Sequence, residues 1–108
     1  MDQIIYDQIE KFVNEIVHKF DPLRVILFGS YASDKTSPDS DVDLLVIMDF
    51  KGRSQLQALK IRKEIQRSFP LDLIVRKPSE INQRLAEGDF FLKEVLKDGK
   101  ILYERTGH

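Results

Sequence analysis

Leu23-Arg24-Val25-Ile26-Leu27-Phe28-Gly29-Ser30 and, after ten further residues, Asp41-Val42-Asp43-Leu44-Leu45-Val46-Ile47-Met48 are the stretches that decide the fold. From Leu23 to Phe28 the β-branched and aromatic residues read as a short buried strand that stops at Gly29 and Ser30. A second strand runs from Val42 to Met48. Its unbroken apolar run, Leu44 to Ile47, is the pattern of a strand covered on both faces. The polar stretch between them, Ser33 to Ser40 with Pro38 inside it, is a loop or a short helix plus loop.

On the N-terminal side, Ile5, Ile9, Phe12, Val13, Ile16, Val17 and Phe20 recur at three- and four-residue steps, which places them on one helix face, and Pro22 ends that helix. After the second strand, Gly52 marks a turn. A helix begins at Ser54 and carries Leu56, Leu59, Lys60, Lys63 and Glu64 on alternating faces until Phe69 and Pro70 stop it. Leu71 to Val75 is a third strand with one polar member, Asp72. Pro78 suits the first turn of a third helix, which runs to about Glu87 before Gly88. Asp89 caps a fourth helix with Phe90, Phe91, Val95 and Leu96 inward, ending at Gly99. Ile101 to Tyr103 adds a short terminal strand. The succession reads as a single α/β domain over residues 1–108.

Composition narrows what such a domain can do. With 108 residues and 42% hydrophobic content the chain supports one ordinary core, so any deep protein-substrate groove must come from a partner. Lys plus Arg number 17 and Asp plus Glu 18, a net charge of -1, which argues against direct nucleic-acid binding. The absence of cysteine excludes disulfides, thiolate zinc sites and a cysteine nucleophile. The first residues lack the basic, continuously apolar start of a signal peptide. Apolar runs such as Val25 to Phe28 are far short of the ~20 residues that span a bilayer. The expectation is a soluble cytoplasmic protein that does not engage the membrane.

The chemistry is concentrated in Gly29-Ser30, Asp41-Val42-Asp43 and Asp72. Two carboxylates at i and i+2 of an extended chain point to the same side, so Asp41 and Asp43 can chelate one hard cation or bridge two. Mg²⁺ keeps several waters and is shared between a few carboxylates and substrate phosphates, which suits an acidic pair without a histidine cage. An adjacent strand can bring Asp72 close as a third carboxylate, a metal ligand and a base for the incoming hydroxyl. Without a cation, an aspartate among apolar strand residues carries a desolvation penalty. A strand that gives way at Gly29-Ser30 to a helix near Tyr31 exposes backbone N–H groups and a hydroxyl to phosphate.

Gly29-Ser30, ten residues, and Asp41-Val42-Asp43 together resemble the signature of the DNA polymerase β nucleotidyltransferase superfamily. More closely, Arg24 to Val46 and the stretch from Leu71 to Gly99-Lys100-Ile101-Leu102-Tyr103 resemble the minimal nucleotidyltransferases that act as antitoxins, and this resemblance covers nearly the whole chain. It implies a polymerase β-like nucleotidyltransferase core, a small mixed β-sheet with flanking helices and the acidic triad on one rim. It also implies that Gly29 and Ser30 engage the triphosphate of ATP, that Asp41 and Asp43 bind Mg²⁺, and that Asp72 completes the triad. The partner it implies is a helical HEPN-type toxin, inactivated by adenylylation of a tyrosine.

The family commonly continues Gly-Ser-Tyr-Ala-Arg-Gly, whereas this chain reads Gly29-Ser30-Tyr31-Ala32-Ser33-Asp34. A cation near the expected triphosphate is gone, and Lys35, Lys51 and Arg53 are the candidates to replace it. The departure motivates a second reading, an antitoxin that binds nucleotide but neutralises its partner by covering it. A third is AMP transfer to a small molecule, for which a dimer would have to supply the pocket.

Other polar and aromatic residues take plainer roles. Asp34 and Asp39 read as solvated loop residues, His18 as an ordinary helix residue and His108 as a terminal one. Tyr31 reads as packing behind the phosphate loop before any role in stacking on a base. Phe90 and Phe91 read as core, although one of an adjacent pair must face away and is then available to a toxin interface.

Overall fold

The computed structural model describes residues 3–33, 35–37 and 39–106. Asp34, Pro38 and His108 lie outside the described residues. The elements follow the order α1 (Gln3–Phe20), β1 (Arg24–Phe28), α2 (Ser30–Ser33), β2 (Val42–Ile47), α3 (Ser54–Glu64), β3 (Leu71–Arg76), α4 (Pro78–Ala86), α5 (Phe90–Asp98) and β4 (Lys100–Glu104).

One four-stranded sheet has the order β3-β2-β1-β4. β1 pairs antiparallel with β2 and with β4, while β2 and β3 run parallel. The sheet is therefore mixed, as expected, and the parallel pair is reached through the crossover helix α3, since parallel strands need such a connection. α1 and α3 pack on one face, where Ile9, Phe12, Ile16, Leu27, Leu44 and Ile61 belong to the larger buried cluster. α4 and α5 pack on the other, over Ile26, Leu45 and Ile47. Alternate residues of β2 thus enter two cores, which is why its apolar run is unbroken. Burial of side chains such as Phe12, each worth about 1.5–3 kcal/mol, outweighs the modest helix propensity of α1's β-branched residues.

Two expectations need correction. The second long helix does not reach Phe69. It ends at Glu64, because Ile65 turns extended (φ -123°, ψ 120°) and this brings both Ile65 and Phe69 into the core, with Phe69 edge-on to Phe12 at 5.7 Å. The helix's inward stripe is Ala58 and Ile61, so Leu56 and Leu59 are left 63% and 45% exposed.

In α5, Asp89 caps the helix as expected, its carboxylate accepting from the Leu92 N–H at 3.0 Å. The residues that face the sheet are Leu92, Val95 and Leu96, spaced by three and four. Phe90 and Phe91 precede that stripe and stay 70% and 50% exposed, so they are not core. Phe91 lies on the helix flank, edge-on to Phe28 at 5.6 Å.

Candidate active site

In the parallel pair β2/β3, Asp43 stands opposite Asp72, and in the antiparallel pair β1/β2 it stands opposite Phe28. Strand alternation puts Asp43 on the side of Leu45 and Ile47, and Asp72 on the side of Ile74, so both carboxylates face the α4/α5 side. They lie at the end of the sheet where β2 and β3 begin. Asp41, one residue before β2, is exposed and close enough to Asp43 for its charge to be felt. The three aspartates singled out in the sequence are therefore gathered on one rim.

Burial pushes the Asp43 carboxyl above the ordinary aspartate range, and the charges of Asp72 and then Asp41 push it the same way. The desolvation cost expected at Asp72 falls on Asp43 instead, because β3 is an edge strand and Asp72 is exposed to water. Among the described residues, no ion pair reaches the three carboxylates, so Lys35, Lys51 and Arg53 do not neutralise them.

The turn after β1 lies directly against this cluster. Gly29 has φ +73°, a left-handed conformation that disfavours any side chain, and a Cβ placed there would overlap Asp43 Oδ2 and lie 3.1 Å from Asp43 Cγ. Only glycine lets the backbone pass this close to the carboxylate. Ser30 opens α2, whose amides at Ala32 and Ser33 both donate to the Gly29 carbonyl, at 3.1 and 3.2 Å. The Ser33 hydroxyl turns back onto the Gly29 and Ser30 carbonyls at 3.3 Å each, so this side chain serves the turn itself. Tyr31 packs against the α1-side core, in agreement with a packing role. Asp39 is exposed in a turn closed by the Ser40 N–H on the Ser37 carbonyl at 3.0 Å.

A cavity of about 270 Å³ flanks the turn, bounded by Gly29, Ala32, Phe28, Phe91 and Glu94. Of the five candidate residues only Gly29 lines it. A larger cavity of about 600 Å³ lies between α1 and the segment leading into β3, lined by none of the five candidate residues. Phe28 and Phe91 were not singled out as site residues. No spacing signal marks them, because their proximity depends on how α5 docks.

The donor set suits a hard divalent cation: three carboxylates, no nitrogen or sulfur ligand, and mutual repulsion that disfavours the ionised form of Asp43 until a cation offsets it. Among the described residues these side chains do not by themselves close into a group of three ligands. That is compatible with Mg²⁺, which takes water and substrate phosphates for the rest of its shell.

Residues 8–103, a span that includes Gly29, Ser30, Asp41, Asp43 and Asp72, match the nucleotidyltransferase domain family. The chain belongs to that family. This nucleotidyltransferase-domain protein is 31% identical to the "Putative protein adenylyltransferase MJ1305" of Methanocaldococcus jannaschii, over 96% of its own length and 75% of that protein's. It is 28% identical to "Putative protein adenylyltransferase MJ0604" of the same organism, over 88% and 94% of the two chains.

Among solved structures, a "putative nucleotidyltransferase from Sulfolobus solfataricus" superposes with a TM-score of 0.64 at 23% identity, covering 92% of this chain and 79% of that one. A structure described as "the toxin-antitoxin with AMP-PNP" gives 0.56 at 19% identity, covering 90% and 74%. Both likenesses establish the mixed α/β fold of this nucleotidyltransferase domain. In addition, no helix among the described residues is long and apolar enough to cross a membrane.

Proposed function

We propose that this protein transfers AMP from ATP to a tyrosine hydroxyl of a HEPN-type toxin and so acts as its antitoxin. The observation that carries the reading is the Asp43–Asp72 pair on one rim, with Asp41 beside it and the Gly29 turn against Asp43. Two relatives named as protein adenylyltransferases and a fold neighbour described as a toxin-antitoxin with AMP-PNP support it.

In this proposal Asp41, Asp43 and Asp72 hold Mg²⁺, which supplies charge neutralisation for the triphosphate and the leaving pyrophosphate. The Gly29-Ser30 backbone and the Ser30 hydroxyl bind phosphate oxygens. Asp72, the most open to solvent of the paired carboxylates, takes the proton as the tyrosine oxygen attacks the α-phosphorus and the bond to pyrophosphate breaks. The exposed Phe90 and Phe91 on α5 give the toxin an apolar surface near the rim.

Mass spectrometry of the toxin, co-expressed with this protein from its genomic neighbourhood, tests the reading. The toxin is expected to gain AMP with the wild-type chain and to gain none with Asp41→Asn or Asp43→Asn. An unmodified toxin that is nonetheless neutralised points to the second reading, neutralisation by binding, which is favoured by Ser33 being committed to the turn rather than to a ligand.

A further inference from the structure

We propose that Tyr6 is a positioning residue for the nucleotide: from the first turns of α1, its hydroxyl holds the Gly29–Ser33 segment in place against Asp43. The inference deepens the reading above and rests on it for the identity of the ligand.

α2 has four residues and is far too short to be stable as an isolated helix, so its conformation depends on what grips it. Its first carbonyls are satisfied locally: Gly29 accepts from Ala32 and Ser33, and Ser30 accepts from Lys35. The carbonyl of Tyr31 belongs to the last turn, where helical donors run out. The Tyr6 hydroxyl donates to it at 2.7 Å, across 25 residues of chain. The two rings meet edge-on at 6.1 Å, and both pack on the α1-side core.

The far end of the same segment is Gly29, whose backbone lies against Asp43. Tyr6 therefore ties the long, well-packed α1 to the segment that carries Ser30. A ligand that binds only the held arrangement has its affinity lowered in proportion as that arrangement is depopulated. Removal of one net hydrogen bond changes the equilibrium constant between the held and released segment about two- to twelvefold.

The test compares the full chain with its Tyr6→Phe and Ser30→Ala variants, using AMP-PNP with Mg²⁺ in calorimetry and amide hydrogen exchange without nucleotide. Tyr6→Phe keeps the ring and removes the hydroxyl that donates to the Tyr31 carbonyl. It is expected to weaken AMP-PNP binding about two- to twelvefold and to raise exchange at the Ala32 and Ser33 amides, with protection in β1, β2 and the rest of α1 unchanged. Unchanged exchange at Ala32 and Ser33, or loss of protection throughout the chain, overturns the inference. So does unaltered nucleotide affinity in Tyr6→Phe when Ser30→Ala weakens binding. If Ser30→Ala binds as the wild type does, the parent reading of the phosphate turn fails, and the exchange experiment still decides whether Tyr6 holds the segment.

Discussion

Asp43 and Asp72 stand opposite each other in the parallel pair β2/β3, and Asp43, the more buried of the two, bears the electrostatic strain of the rim. Because its carboxyl is raised in the fold, the folded protein holds that proton more tightly than the unfolded chain does. The stability associated with this group is complete below the unfolded aspartate value of about 3.9 and declines as pH rises through the raised folded value.

Asp43→Asn removes the declining part. In the absence of divalent cations the variant is expected to melt about 2–4 °C above the wild type at pH 7, roughly 0.5 kcal/mol once solvent screening of a half-exposed carboxylate is allowed for. The advantage should vanish near pH 3.5. Thermal melts at the two pH values check this, and an equal or lower melting temperature at pH 7 contradicts it.

Gly29→Ala places a methyl group onto Asp43 Oδ2 in a backbone with φ +73°. The left-handed conformation costs about 1 kcal/mol for alanine, and displacement of the carboxylate adds to it. A loss of about 2–3 kcal/mol in urea unfolding is expected, together with loss of nucleotide binding. Asp43→Asn retains the clash because the amide fills the same space, so the double variant should not recover that stability.

Leu92→Ala empties a buried position between α5 and the sheet and is expected to cost about 2–4 kcal/mol. Phe90→Ser, two residues away but exposed, should change stability by less than about 0.5 kcal/mol. The pair of unfolding curves decides which α5 residues are structural. If Phe90→Ser proved as damaging as Leu92→Ala, the docking of α5 described above would be wrong.

The elements that gather the carboxylates were readable because their signals are local. Strand alternation fixes the side of Asp43, with Asp41 just before the strand, Gly29 marks a turn that only glycine tolerates, and an α-helical crossover makes β2 and β3 parallel neighbours. What failed depended on docking. The Asp89 cap is explicit in the sequence, but several helix faces include apolar residues, and only the sheet selects Leu92, Val95 and Leu96 over Phe90 and Phe91. The end of α3 was misjudged for a related reason, since Ile65 and Phe69 reach the core together only when the helix stops at Glu64. Nothing in the sequence marks Tyr6, because its bond to the Tyr31 carbonyl joins segments 25 residues apart that share no local signal.

In the proposed reaction the rim carboxylates carry nucleotidyl transfer. The transfer of labelled AMP from ATP to the purified proposed toxin partner, with Mg²⁺ present or removed by chelation, tests this. Transfer by the wild type is expected to require the metal and to fall at least about a hundredfold in Asp43→Asn and Asp41→Asn. Undiminished transfer by either variant would contradict the account.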